Sequence, residues 1–124
     1  MIYSDDREAT RAFLRDVLEW PYVSMTDEEM GSNAWLIFKS GPSEMGVHPT
    51  RGEWEGRTYE HPRHHSLSLM CDDIQETVAS LQGKGAQFRG EIEDHGYGLV
   101  IQMVLPGAGE IQLYEPRHPE AHSL

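Results

Sequence analysis

Apolar positions along this chain recur with two different periods, and each period appears in both halves. Between Asp5 and Leu18, the residues Thr10, Phe13, Leu14, Val17 and Leu18 follow the i, i+3, i+4, i+7, i+8 spacing of a helix with one buried stripe. Asp5 or Asp6 can cap its first turn, Glu8 suits the helix dipole there, and Trp20-Pro21 ends it, because a residue before proline avoids the helical region. Ile74, Thr77, Val78 and Leu81 repeat the stripe after Asp72 or Asp73, with Gly83 and Gly85 as the stop. Strand-like runs surround the helices: 22–25, 34–39 and 44–48 follow the first, 65–71 precedes the second, and 86–92, 99–105 and 110–115 follow it. Residues 1–4, MIYS, are the short counterpart of 65–71.

The two halves are also alike letter by letter. DDREATRAFL at 5–14 and DDIQETVASL at 72–81 share Asp5/Asp72, Asp6/Asp73, Thr10/Thr77, Ala12/Ala79 and Leu14/Leu81. Repetition at a fixed offset sets the architecture. It predicts one domain of class α+β, built from two βαβββ modules at 1–48 and 64–115. An extended linker at 49–63 joins them, and a solvated tail at 116–124 carries His118 and His122. Each helix should cover one face of its own sheet, and the remaining curved faces should enclose a shared cleft.

Strand parity then nominates the cleft residues. With Ile111 and Leu113 turned to the helices, Glu110, Gln112 and Tyr114 face the cleft. With Leu67 and Leu69 turned to the helix, Ser66, Ser68 and Met70 face the cleft, and His64 shares their parity. His48 shares parity with Glu44 at the end of the strand expected at 44–48. Tyr97, in the glycine-rich DHGYG loop, offers a stacking surface. Trp35 and Ile37 share one face of their strand and Leu36 and Phe38 the other; a cleft-facing Trp35 would suit a flat aromatic ligand.

Charge narrows the ligand class. A net charge of −11, with ten Lys and Arg scattered, repels nucleic acid and anionic membranes and attracts cations. No apolar run reaches membrane-spanning length and no secretory signal is visible at the N-terminus, so a cytoplasmic location is expected. Cys71 is the single cysteine, which excludes an intrachain disulfide and reads as an inert thiol at a strand end. There is no G-x-S-x-G elbow, phosphate-binding glycine loop with lysine, or dinucleotide fingerprint.

Paired βαβββ modules, the phrase EATRAFLRDVLEW after an Asp cap, and the closing LPGAGEIQLYEP resemble the vicinal oxygen chelate superfamily. That superfamily holds glyoxalases, bleomycin-resistance proteins and extradiol dioxygenases. The resemblance implies a homodimer, which a short first strand with an uncovered edge also favours. For its enzymes it implies one divalent metal ion (Zn, Ni, Mn or Fe) held from the first strand of each module and the last strand, acting as a Lewis acid. Here the last-strand position is Gln112 and the second-module candidate is His64, since the commonest spacing before the helix cap falls on Ser66. Counted back from Asp6, the same spacing falls before Met1. Two functions therefore stand open. One is a metal-free binding protein that holds a small molecule in an acidic, aromatic cleft, in the manner of antibiotic sequestration. The other is a metal-dependent lyase, isomerase or dioxygenase.

Overall fold

The computed structural model describes the backbone of residues 1–27 and 31–124 and the side chains of 1–24 and 36–124. The first helix, α1 (Arg7–Ala12), starts where Asp6 accepts a hydrogen bond from the Ala9 N–H at 3.0 Å. It runs into a π-helical turn at Phe13–Val17, closed by the Leu18 N–H donating to the Phe13 carbonyl at 3.0 Å. Glu19, at φ 57, then reverses the chain. Thr10, Phe13 and Leu14 of the expected stripe are buried, and Val17 and Leu18 pack beside them.

Strands β1 (Tyr22–Asp27) and β2 (Gly31–Phe38) form an antiparallel pair of their own. Residues 1–4 and 44–48, expected as strands, are irregular. The physical reason for 44–48 is plain: Met45 and Val47 are exposed, and none of the described residues covers the apolar side of so short an alternation. The segment 49–63, expected as an extended linker, folds into a second hairpin of β3 (Arg51–Trp54) and β4 (Arg57–Glu60). Glu55 and Gly56 turn it with φ 50 and φ 74, the doubly positive geometry that matches strand twist in a two-residue hairpin.

From Ser68 onward the chain forms a four-stranded sheet. Strand β5 (Ser68–Met70) leads to α2 (Ile74–Gly83), capped by Asp73 on the Glu76 N–H at 3.0 Å. Strands β6 (Phe88–Asp94), β7 (Gly98–Val104) and β8 (Glu110–Pro116) follow. The order is β5-β8-β7-β6, with β5 parallel to β8 and the other pairs antiparallel. Ile74 and Val78 of α2 pack on Ile101 and Leu113. Phe13, Leu14 and Leu81 pack on Met103, Leu105 and Ile111.

Both helical stripes therefore bury against one face of this sheet, whereas the sequence predicts one helix per sheet. A two-stranded hairpin has too little apolar surface to cover a helix. The first helix takes the larger partner and is tied to it at the β7–β8 turn. The Asp5 N–H donates to the Gly107 carbonyl at 2.9 Å, the Ser4 hydroxyl donates to the same carbonyl at 3.0 Å, and the Thr10 hydroxyl donates to the Pro106 carbonyl at 2.5 Å. Gly107 is at φ +79, and a Cβ there would lie 2.6 Å from the Asp6 carbonyl oxygen. Gly107→Ala is expected to lower stability by about 1–3 kcal/mol through strain and loss of this seam. Urea denaturation of both proteins checks this, and an unchanged midpoint would contradict it.

Candidate functional site

The face of the four-stranded sheet opposite the helices is polar, and pairing brings its residues into rows. Ser68 is opposite Gln112, Gln112 opposite Gln102, and Gln102 opposite Arg89. The next row holds Met70, Tyr114, Val100 and Glu93. Gln112 organises the first row: its Oε1 accepts from the Ser68 hydroxyl at 3.2 Å and from the Tyr97 hydroxyl at 3.3 Å. With the oxygen engaged twice, Gln112 has its two N–H donors left to offer a ligand.

Tyr97 reaches this face from the β6–β7 turn. Asp94 accepts from the Gly96 N–H at 2.9 Å, and Gly96 takes φ +82, a conformation glycine adopts without strain. The Tyr97 ring meets Tyr114 edge to face at 6.2 Å, and His118 stacks against Tyr114 at 6.3 Å. His95 meets the other side of Tyr97 at 6.0 Å, so four rings form a rail. The chain after β8 is held against the turn by the Arg117 N–H donating to the Tyr97 carbonyl at 2.8 Å and by the Arg117–Asp94 pair at 2.6 Å.

Glu44 closes the end of the rail. Its Oε2 accepts from the His122 N–H at 3.2 Å and lies 3.3 Å from His122 Nδ1, and its Oε1 is 3.9 Å from His118 Nε2. Partial burial works to raise the Glu44 pKa, but the N–H groups of His122 and Ala121, the His122 ring and the His118 charge outweigh it and hold the carboxyl below the usual range. Burial, and then the charges of Glu44, Tyr97 and Glu120, push the Tyr114 phenol up, so it remains a neutral donor. Glu44, His118 and His122 were missed in the sequence because 44–48 reads as a strand and 116–124 as a solvated tail. No local periodicity reports a contact across 78 residues.

The structure thus brings together Ser68, Tyr97, Gln112 and Tyr114 of the residues expected in the cleft. Glu110 sits at the far end of the same strand face, paired with Arg89. Ser66 is exposed in the irregular chain before β5. The Trp35 side chain lies outside the described residues. His48 belongs elsewhere: its Nδ1 is 2.7 Å from the Pro49 carbonyl, and its ring packs on Tyr59 at 5.4 Å and His61 at 5.9 Å. Without a strand at 44–48, parity does not carry His48 to the sheet.

Among the described residues no hydrogen bond or ring contact joins His64 to Gln112, the two donors nominated for a metal ion. The Gln112 oxygen is shared by two hydroxyls, while His64 Nδ1 lies 2.7 Å from the Pro62 carbonyl with its ring 6.4 Å from His61. Among the described residues no three His, Cys, Asp or Glu side chains converge as metal ligands. Cys71 is half-buried, its thiol donating to the Tyr114 carbonyl at 3.6 Å, and burial pushes its pKa up, away from reactive thiolate. Among the described residues no helix is long and apolar enough to cross a membrane.

The family model described as Glyoxalase/Bleomycin resistance protein/Dioxygenase superfamily matches residues 1–117. A comparison with curated proteins returns no match. Among solved structures, TnmS3, an antibiotic binding protein from Streptomyces sp. CB03234, aligns at 17% identity and TM-score 0.57, over 93% of this chain and 90% of that one. Lactoylglutathione lyase from Agrobacterium tumefaciens aligns at 17% identity and TM-score 0.58, over 92% and 88%. A superfamily member from Sphaerobacter thermophilus DSM 20745 aligns at 17% identity and TM-score 0.56, over 93% and 91%. At these identities the likeness establishes the fold.

The depressed Glu44 pKa gives a pH test. The folded state binds fewer protons at Glu44 than the unfolded chain does. Its contribution is therefore whole above about pH 5 and is lost as pH falls through the carboxylate range. Glu44→Gln is expected to lose less stability than the parent between about pH 5 and pH 3 in thermal melts. Identical acid losses would contradict it.

Proposed function

We propose that this chain, which belongs to the glyoxalase/bleomycin resistance protein/dioxygenase superfamily, binds a flat aromatic cation on its Ser68–Tyr97–Gln112–Tyr114 face without a metal ion. The observation that carries this reading is Gln112: its oxygen pins Ser68 and Tyr97, and its N–H donors remain for a ligand beside two tyrosine rings. Tyr97 is held by its hydroxyl and Tyr114 lies between the Tyr97 and His118 rings, so both present a planar ligand with rings already positioned, at low ordering cost. The field of a −11 chain, with Glu44 and Glu120 near Tyr114, favours a cation. An antibiotic binding protein shares the fold, and so does a lyase, so architecture alone does not choose between binding and catalysis. The donor arrangement favours binding, because the catalytic alternative needs ligands that converge on an ion.

In this reading the 64–115 module supplies the wall of the site, Glu44 reaches its end from the 1–48 module, and a second copy covers the face left open. The exposed Val23, Met45 and Val47 and the uncovered outer edge of β5 support such a dimer.

Calorimetric titration with a panel of polycyclic aromatic cations, and with neutral and anionic compounds of the same shape, tests this. At least one cation is expected to bind with micromolar affinity, and Tyr114→Ala and Gln112→Ala to weaken it about tenfold or more, a loss of about 1.4 kcal/mol. Silence across the panel, or binding indifferent to both replacements, would contradict the proposal.

A further inference from the structure

Two histidines after β8 satisfy both of their ring nitrogens only when protonated. The His122 ring sits between two carboxylates: Nδ1 is 3.3 Å from Glu44 Oε2 and Nε2 is 3.2 Å from Glu120 Oε2. A neutral imidazole carries a proton on one nitrogen, so its other lone pair would face an acceptor oxygen, whereas an imidazolium presents a donor to each. His118 repeats the pattern. Its Nδ1 lies 2.9 Å from the Pro119 carbonyl, which can only accept, and its Nε2 lies 3.9 Å from Glu44 Oε1.

The segment that carries these rings has few other ties. Pro119, Ala121 and Leu124 are exposed, so little apolar burial holds it down. Its start is fixed by the Arg117 N–H on the Tyr97 carbonyl and by the Arg117–Asp94 pair. Beyond Arg117 the polar contacts converge on Glu44, through the N–H groups of Ala121 and His122 and through both imidazoles. A segment held in this way opens at a lower cost than the core. The place of His118 is also that of a ligand: its ring stacks on Tyr114, 26° from parallel, beside the Glu44 carboxylate. A protonated imidazole is itself a flat aromatic cation.

We infer that residues 118–124 are an internal competitor for the aromatic face, docked through imidazolium rings at mildly acid pH and released as pH rises. The inference rests on the aromatic-cation reading of that face. The docked form holds more protons than the released form, so docking is favoured at low pH and lost as pH rises through the imidazole range, about pH 5 to 8. Glu44 stays a carboxylate across this window, because its hydrogen bonds hold its pKa down. Release uncovers the Tyr114 ring, which Tyr97 still meets edge to face, and leaves Glu44 to pair with an incoming cation. The other charged groups around the two tyrosines are the His95–Glu93 pair beside Tyr97 and the Arg117–Asp94 pair at the turn, and only His95 among them is an imidazole.

The test uses the full chain and N-methylacridinium, a flat aromatic ion whose charge is independent of pH. In the free protein, nuclear Overhauser contacts between the His118 and Tyr114 rings are expected at about pH 5.5 and are expected to vanish by about pH 8. Calorimetric titration is expected to give binding about fivefold or more tighter at the higher pH, because apparent affinity follows the fraction of molecules with an open face. His118→Ala and, separately, His122→Gln are expected to bind tightly at both pH values. Ring contacts that persist unchanged, or that are absent at the lower pH, would overturn the inference whatever the ligand does. So would weaker binding by His118→Ala, which would make His118 a wall of the site, or a pH response that survives in both variants, which would assign it to His95. If the ring contacts switch with pH but N-methylacridinium binds neither the parent nor His118→Ala, the aromatic-cation reading fails and the inference falls with it.

Discussion

Ile111 and Leu113 point to one side of β8, and Glu110, Gln112 and Tyr114 to the other, because a strand alternates its side chains with a period of two. Everything else in the structure depends on that alternation. Ile111 and Leu113 are buried and anchor the two helical layers, which is what holds the sheet flat-side to the core. The same register sends Gln112 and Tyr114 to the opposite face and sets them beside Ser68, Gln102 and Val100. A slip of one residue would exchange the faces completely. Core burial therefore fixes the polar face, and no separate interaction has to specify it.

The second helix and the three strands after it were legible because each carries a strong local signal. Asp73 caps, Ile74, Val78 and Leu81 space a helix, LVIQMVL is a largely apolar run in which Ile101 and Met103 turn to the core, and EIQLYE alternates between core and open face. In the first half the helical stripe at Thr10, Phe13 and Leu14 and the strands expected at 22–25 and 34–39 were legible, and the last two are found as β1 and β2. Residues 1–4 and 44–48 have strand-like composition without strand partners, and propensity alone does not make a strand. The hairpin at 51–60 went unread because its turn is Glu55-Gly56, and a glutamate at positive φ is an unusual choice where Asn or Asp is the common one.

The candidate site divides along the same line. Ser68, Tyr97, Gln112 and Tyr114 follow from parity and from a glycine-rich loop, both local properties. Glu44, His118 and His122 meet through the closure of two irregular segments, for which the sequence carries no period. His48 and His64 were assigned by strand parity and family spacing, and they sit instead with Tyr59 and His61 at the β3–β4 hairpin. The groups that the sheet face brings together are an amide, a hydroxyl and two phenol rings.

The division of faces in β8 is tested most directly by exchanging polarity at adjacent positions and measuring unfolding in urea. Leu113→Gln should lower stability by about 2 kcal/mol or more, because it leaves a polar amide unpaired in the core, while Gln112→Leu should change it by about 0.5 kcal/mol or less. Equal losses at the two positions, or a larger loss at Gln112, would show that the strand presents its faces the other way and would remove the basis of the site.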